Sequence, residues 1–192
     1  MFFRDLTANE IECRVQSVKH NGLVLLLYKN ARCDMNILDE AVGPGNWQRE
    51  HYECKGNLFC RVGLRIVEGV PASQQDGTLA SALKTTRDEW VWKSDCGVES
   101  NTEAQKGEAS DSFKRACFNW GIGRELYTAP FIFINACELK DTGRKDKNGK
   151  PIFVCYDKFE VEKIIIENKR IVALAIKNIT QNCRAFVWQE PK

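Results

Sequence analysis

The chain has 192 residues, enough to bury a real core, and carries 28 Lys and Arg against 26 Asp and Glu. At a formal net charge of +2 its overall field cannot capture a polyanion, so any nucleic-acid surface must be a local patch. No apolar run is long enough to span a bilayer, and Arg4, Asp5 and Glu10 interrupt the start before a signal core can form, so the sequence reads as a soluble cytoplasmic protein.

In chain order, Thr7 and Glu10 have capping-box spacing and predict a short helix. After the turn signal His20-Asn21-Gly22, the apolar run Leu23 to Tyr28 predicts a buried strand. Ala31 to Val42 predicts a helix with Met35, Leu38 and Val42 on one face. Gly43-Pro44-Gly45 ends it, and Trp47 follows as a packing anchor. From Asn57 the period becomes two. Leu58, Cys60, Val62, Leu64 and Ile66 face one way, and Phe59, Arg61, Gly63, Arg65 and Val67 the other. Glu89 to Ser94 is the expected partner strand. Residues 69–88 between them are polar and Gly-containing, which predicts a long, mobile loop.

Ser100 and Glu103 form a second capping box, opening a helix that runs to Trp120 and ends at Gly121. At 100° per residue Ala109, Phe113, Ala116, Cys117 and Trp120 form the core stripe, and Asp111, Lys114, Arg115 and Phe118 face away. Beyond Pro130 the pattern is all strand. Phe131 to Glu138 is expected to pair with Ile152 to Tyr156 across the Asn148-Gly149 turn. The connection holds Lys140, Arg144, Lys145, Lys147 and Lys150 against Asp141 and Asp146. Phe159 to Ile166, Arg170 to Lys177 and Cys183 to Trp188 then predict an antiparallel meander.

Several motifs imitate sites without their context. Gly143 to Lys150 imitates a phosphate loop, but five residues separate its glycines, Pro151 replaces the magnesium-binding hydroxyl, and it joins two strands. Gly121-Ile122-Gly123 follows a helix and does not open one. The nine cysteines contain no Cys-x-x-Cys pair and there are two histidines, His20 and His51, so reduced thiols are expected and neither a metal nor a cofactor. Asp95, Glu99, Glu103, Glu108 and Asp111 raise a metal-dependent nuclease as an alternative, although they spread around the helix instead of converging. An RNA-binding or adaptor module is a second alternative.

The run SDSFKRACFNWGIG (110–123) resembles the core helix of the Rad52 family of single-strand annealing proteins, particularly its phage and prophage members. LDEAVGPGNW (38–47) is similar to the segment in which a family helix ends in a Gly-rich turn and a tryptophan. WVWKSDCGVES (90–100) is similar to the strand and Asp-x-Gly turn that lead into the core helix. The resemblance covers roughly residues 5 to 130. It implies ATP-independent binding of single-stranded DNA and annealing of complementary strands, without enzymatic turnover. It also implies a homo-oligomeric ring or filament in a bacterial host, with a single-strand-binding protein or a phage exonuclease as possible partners.

By that resemblance Lys114 and Arg115 line a groove for the DNA backbone. The residues alone favour another reading, in which Arg115 pairs with Asp111 one turn earlier and Lys114 is a solvated face residue. Relatives often carry a further arginine where this chain has Phe118, which can stack on a base or pack against a neighbouring subunit. Phe59, Arg61 and Arg65 form a second candidate strip, and Lys93, Lys106 and Arg124 complete the candidate DNA-binding set. The expected fold is α+β: an antiparallel sheet crossed by a long helix within an annealing core of β-β-β-α type (1–130). A C-terminal β meander (131–192) is expected to belong to the same globular unit.

Overall fold

Strands and two helices, both ending at a glycine, make up the chain in a computed structural model that describes residues 2–69, 86–98 and 104–191. A 3-10 turn (Ala8–Glu10) precedes β1 (Glu12–Lys19), β2 (Gly22–Tyr28), α1 (Ala31–Val42), β3 (Trp47–Cys54), β4 (Asn57–Gly69) and β5 (Thr86–Cys96). Next come α2 (Ala104–Trp120), a 3-10 helix (Arg124–Thr128), β6 (Ile132–Ile134), β7 (Lys140–Lys145) and β8 (Pro151–Val154). The last three strands are β9 (Phe159–Glu167), β10 (Arg170–Asn178) and β11 (Cys183–Gln189). Every strand pairing among the described residues is antiparallel.

The chain forms two compact units, one of Met1–Phe3 with Asp34–Ile122 and one of Arg4–Cys33 with Gly123–Lys192. The second is built on a six-stranded sheet in the order β11-β10-β9-β1-β2-β6. Its core draws on Leu23, Leu25, Ile132, Ile134, Ile171, Leu174 and Ile176, all at most 2% exposed. Glu125 is fully buried there and accepts the Leu6 backbone N–H at 2.8 Å. β7 and β8 form a separate two-stranded ribbon.

Several expectations need correction in this unit. The short helix expected at Thr7 does form, with its capping box, as a single 3-10 turn held by Glu10, whose carboxylate accepts the Thr7 backbone N–H and hydroxyl. Arg4 grips the same carboxylate and pulls its pKa down to about 2. The strand after Pro130 stops at Ile134, where the chain turns with Cys137 N–H bonded to the Asn135 carbonyl, and it pairs with β2. The hairpin across Asn148-Gly149 is therefore made by β7 and β8, not by residues 131–138. The meander β9-β10-β11 forms within a residue of its expected bounds, but as half of a sheet that β1, β2 and β6 complete. β1 gives no signal in the sequence because only part of one face is covered and a bulge between Val15 and Ser17 breaks its period.

The first unit carries the three-stranded sheet β3-β4-β5. β4 presents Cys60, Val62 and Leu64, all at 0% exposure, to α2. Phe113, Ala116 and Cys117 meet them from the helix, also at 0%, with Ser112 beside them. Trp120 Nε1 donates to the Val62 carbonyl at 3.0 Å. Gly97, at the exit of β5, lets the helix approach: a Cβ there would lie 2.2 Å from the Glu108 carbonyl oxygen. The helix expected over 103–120 is thus present at 17 residues, its Ser100–Glu103 cap lying outside the described residues.

α1 has its expected bounds and ends at Gly43, in the left-handed region at φ 82°, but its buried stripe is Cys33, Asp34, Ile37 and Leu38, with Met35 and Val42 half-covered. Residues 70–85 of the expected 69–88 loop lie outside the described residues, and so does its expected mobility. Its ends are strand: Gly69 pairs with Thr86.

Candidate nucleic-acid interface

The sheet of the first unit has one side closed by α2 and one side open. On the closed side, Trp47 stacks on Phe113 with centroids 6.2 Å apart, and Arg49 lies 4.8 Å over the Phe113 ring. His51 Nε2 sits 3.1 Å from the Ala109 carbonyl oxygen. Trp47 is the packing anchor that its position after the Gly-rich turn suggests, and its indole N–H also donates to Asp39 at 2.6 Å.

The outward side of α2 carries the candidate cations. Lys114 is half-buried and has no ion-pair partner among the described residues. Arg115 donates from Nε to Asp95 on β5 at 3.3 Å, its side chain 40% exposed. The alternative Asp111 pairing is not what forms, because Asp111 accepts the Val98 backbone N–H at 3.2 Å. Lys93 also sits at the seam between β5 and α2. It donates to the Asn119 carbonyl at 2.9 Å, at the negative end of the helix dipole, and lies 4.4 Å over the Trp120 ring. Phe118 is half-buried on the same helix. Lys106 lies in the backbone of α2, but its side chain is outside the described atoms. Arg124 is exposed in the other unit.

The open side has a different chemistry. Tyr52 stacks on Phe59 at 5.5 Å, and Trp90 and Trp92 lie 6.2 Å apart. Trp92 rests flat over Gly63, where a Cβ would come within 2.8 Å of its ring. Arg61 lies 4.5 Å over Trp92 and donates from Nε and Nη2 to Glu50 at 3.0 and 2.6 Å. Arg65 makes a two-point bridge to Asp88 at 2.7 and 2.5 Å, which holds the Asp88 carboxyl below its ordinary range. Glu50, Tyr52, Arg61, Trp92 and Ser94 line a shallow recess of about 400 Å³. The alternation in β4 thus brings Phe59, Arg61 and Arg65 together as expected, but both guanidinium groups have carboxylate partners.

Tyr52, Gly63 and Trp92 join this side without being among the candidates that the sequence singles out. Trp92 is legible in principle, since Trp90 and Trp92 alternate with Val91 and Lys93. Tyr52 is not, because β3 is an exposed edge strand, mostly polar, without an apolar period.

The described carboxylates near α2 do not converge. Glu108 accepts the Leu58 N–H at 3.0 Å, Asp95 accepts the Cys96 N–H at 2.8 Å and Arg115, and Asp111 serves Val98. Glu99 and Glu103 lie outside the described residues. Each remaining carboxylate has a structural task that accounts for its position.

A model of the Rad52/22 family double-strand break repair proteins matches residues 3–135. The chain belongs to the Rad52/22 family. No curated protein and no solved structure matches it. Membership places the protein in DNA repair and recombination, and the matched span runs from before β1 to just past β6, with α2 and the three-stranded sheet inside it. β7 to β11 follow the family segment. Among the described residues no helix is long and apolar enough to cross a membrane.

Proposed function

We propose that this Rad52/22 family protein binds single-stranded DNA along the outward side of α2 and anneals complementary strands without nucleotide, in phage or prophage recombination. The observation that carries this reading is the division of α2. One side is closed against the sheet at 0% exposure, and the other offers Lys114, without an ion-pair partner among the described residues, beside a half-exposed Arg115. Phosphates compete readily for Arg115, because a half-exposed pair such as Arg115–Asp95 contributes only about 0–1 kcal/mol.

The mechanism needs no bond made or broken by the protein. Cations on α2 neutralise the backbone of one strand and hold it with its bases accessible, and pairing with a second strand supplies the free energy. Self-association fits the same fold. β3 and β5 are both edges of their sheet, with no further strand paired to them among the described residues, and open edges are templates for a second copy.

Annealing of complementary oligonucleotides in nucleotide-free buffer tests the proposal. Annealing is expected, from a species heavier than a monomer by light scattering. A strict requirement for ATP, or magnesium-dependent cleavage of the strands, would sink it.

A further inference from the structure

The β7–β8 ribbon lies outside the family segment, which ends at residue 135. Among the described residues it pairs with no other strand, and residues 140–145 are exposed throughout. Its aspartates turn back on its own backbone. Asp141 accepts the Gly143 N–H at 2.9 Å, and Asp146 accepts those of Asn148 and Lys150 at 2.8 and 2.9 Å. Lys140 pairs with Glu138 at 3.6 Å. That leaves Arg144, Lys145, Lys147 and Lys150 at the tip, all exposed and without an ion-pair partner among the described residues. Even with both aspartates counted, the tip is net positive.

What the tip lacks decides its ligand. Residues 141 to 152 contain no aromatic side chain; the exposed Tyr156 stands at the ribbon's base, 6.0 Å from the Lys140 ammonium. Single-strand binders combine cations with rings on which bases stack. A duplex hides its bases and offers mainly phosphates, and its major groove is wide enough to admit a two-stranded ribbon. Phe153, half-buried on β8 opposite Asp141, lies like Tyr156 away from the turn, and cations without aromatics at the tip of such a ribbon suit the duplex.

We propose that the β7–β8 ribbon is a second nucleic-acid contact, in which Arg144, Lys145, Lys147 and Lys150 grip the phosphate backbone of duplex DNA. The inference rests on the reading that the protein acts on DNA, but it does not depend on α2 being the single-strand site.

The test is anisotropy of the full chain with a labelled 20-base-pair duplex and, separately, a labelled single strand, each across a salt series. Replacing Arg144, Lys145, Lys147 and Lys150 together by Gln alters only exposed side chains, and an unchanged melting curve would confirm the fold. Every duplex phosphate that is no longer neutralised should lower the salt slope by about 0.9, so duplex affinity should fall roughly tenfold or more near 0.15 M salt. Single-strand affinity should stay within about twofold, since the cations of α2 are untouched. A companion variant carrying Lys145→Arg, Lys147→Arg and Lys150→Arg should keep duplex binding, because it keeps the charge. Wild-type duplex affinity and slope in the Gln variant would overturn the proposal. An equal loss on single strands would overturn its duplex assignment. A parent protein that binds single strands but no duplex would overturn the ribbon proposal while leaving the α2 reading in place.

Discussion

The two sides of the β3-β4-β5 sheet are made by one strand read in two phases, and they solve opposite problems. Even-numbered positions of β4, among them Cys60, Val62 and Leu64, are sealed at 0% exposure under α2. Odd-numbered positions carry Arg61 and Arg65, each held by a carboxylate, and Gly63 under the Trp92 ring. The closed side exports its cations: the helix that seals it displays Lys114 and Arg115 outward. The open side keeps its charges internally balanced and offers flat aromatic surface instead. Counting arginines in the sequence makes the open side look like the phosphate track. In the proposed reading that role falls to the helix, where Lys114 has no ion-pair partner among the described residues.

Stability should separate the two sides most strongly. Phe113→Ala empties a fully buried site on the closed side and should cost about 3–5 kcal/mol. Trp92→Ala removes a half-buried ring from the open side and should cost less than half of that. A chemical denaturation series on both variants checks the order, and equal losses would mean that the open side is as tightly packed as the core.

Two glycines sharpen the contrast at smaller scale. A methyl at Gly97 meets a backbone oxygen at 2.2 Å, which cannot move without shifting α2, so Gly97→Ala should cost roughly 2–3 kcal/mol. A methyl at Gly63 meets the Trp92 ring at 2.8 Å, which can tilt into solvent, so Gly63→Ala should cost about 1 kcal/mol. Altered tryptophan fluorescence is expected in the second variant, and thermal melts rank the pair.

The smallest effect is an acid one. Asp88 has its pKa lowered by the Arg65 bridge, so the pair's contribution is fully present above the unfolded value of 3.8 and is lost as pH falls below it. The melting temperatures of parent and Asp88→Asn should differ slightly at neutral pH and converge under acid. A gap that widens below pH 3.8 would contradict the bridge.

The closed side is legible in the sequence because burial imposes a period. The 3.6-residue stripe of α2 and the two-residue alternation of β4 both report which atoms must leave water. β1 and β3 stay hidden for the converse reason: exposed positions on both faces leave no apolar rhythm, and a bulge in β1 shifts what rhythm there is. Site chemistry is half legible. Residue types place Arg61 and Arg65 on one face, but that Glu50 and Asp88 meet them depends on cross-strand register. Likewise the partner of Arg115 is Asp95, twenty positions away on β5, where helical spacing alone suggests Asp111.

The salt dependence of single-strand binding tests the central claim most directly. If the outward side of α2 grips the backbone, Lys114→Ala and Arg115→Ala should each lower the slope of log affinity against log salt by roughly 0.7, while Arg61→Ala leaves it unchanged. Wild-type slopes in both helix variants, with a reduced slope in Arg61→Ala, would move the phosphate contact to the open side of the sheet.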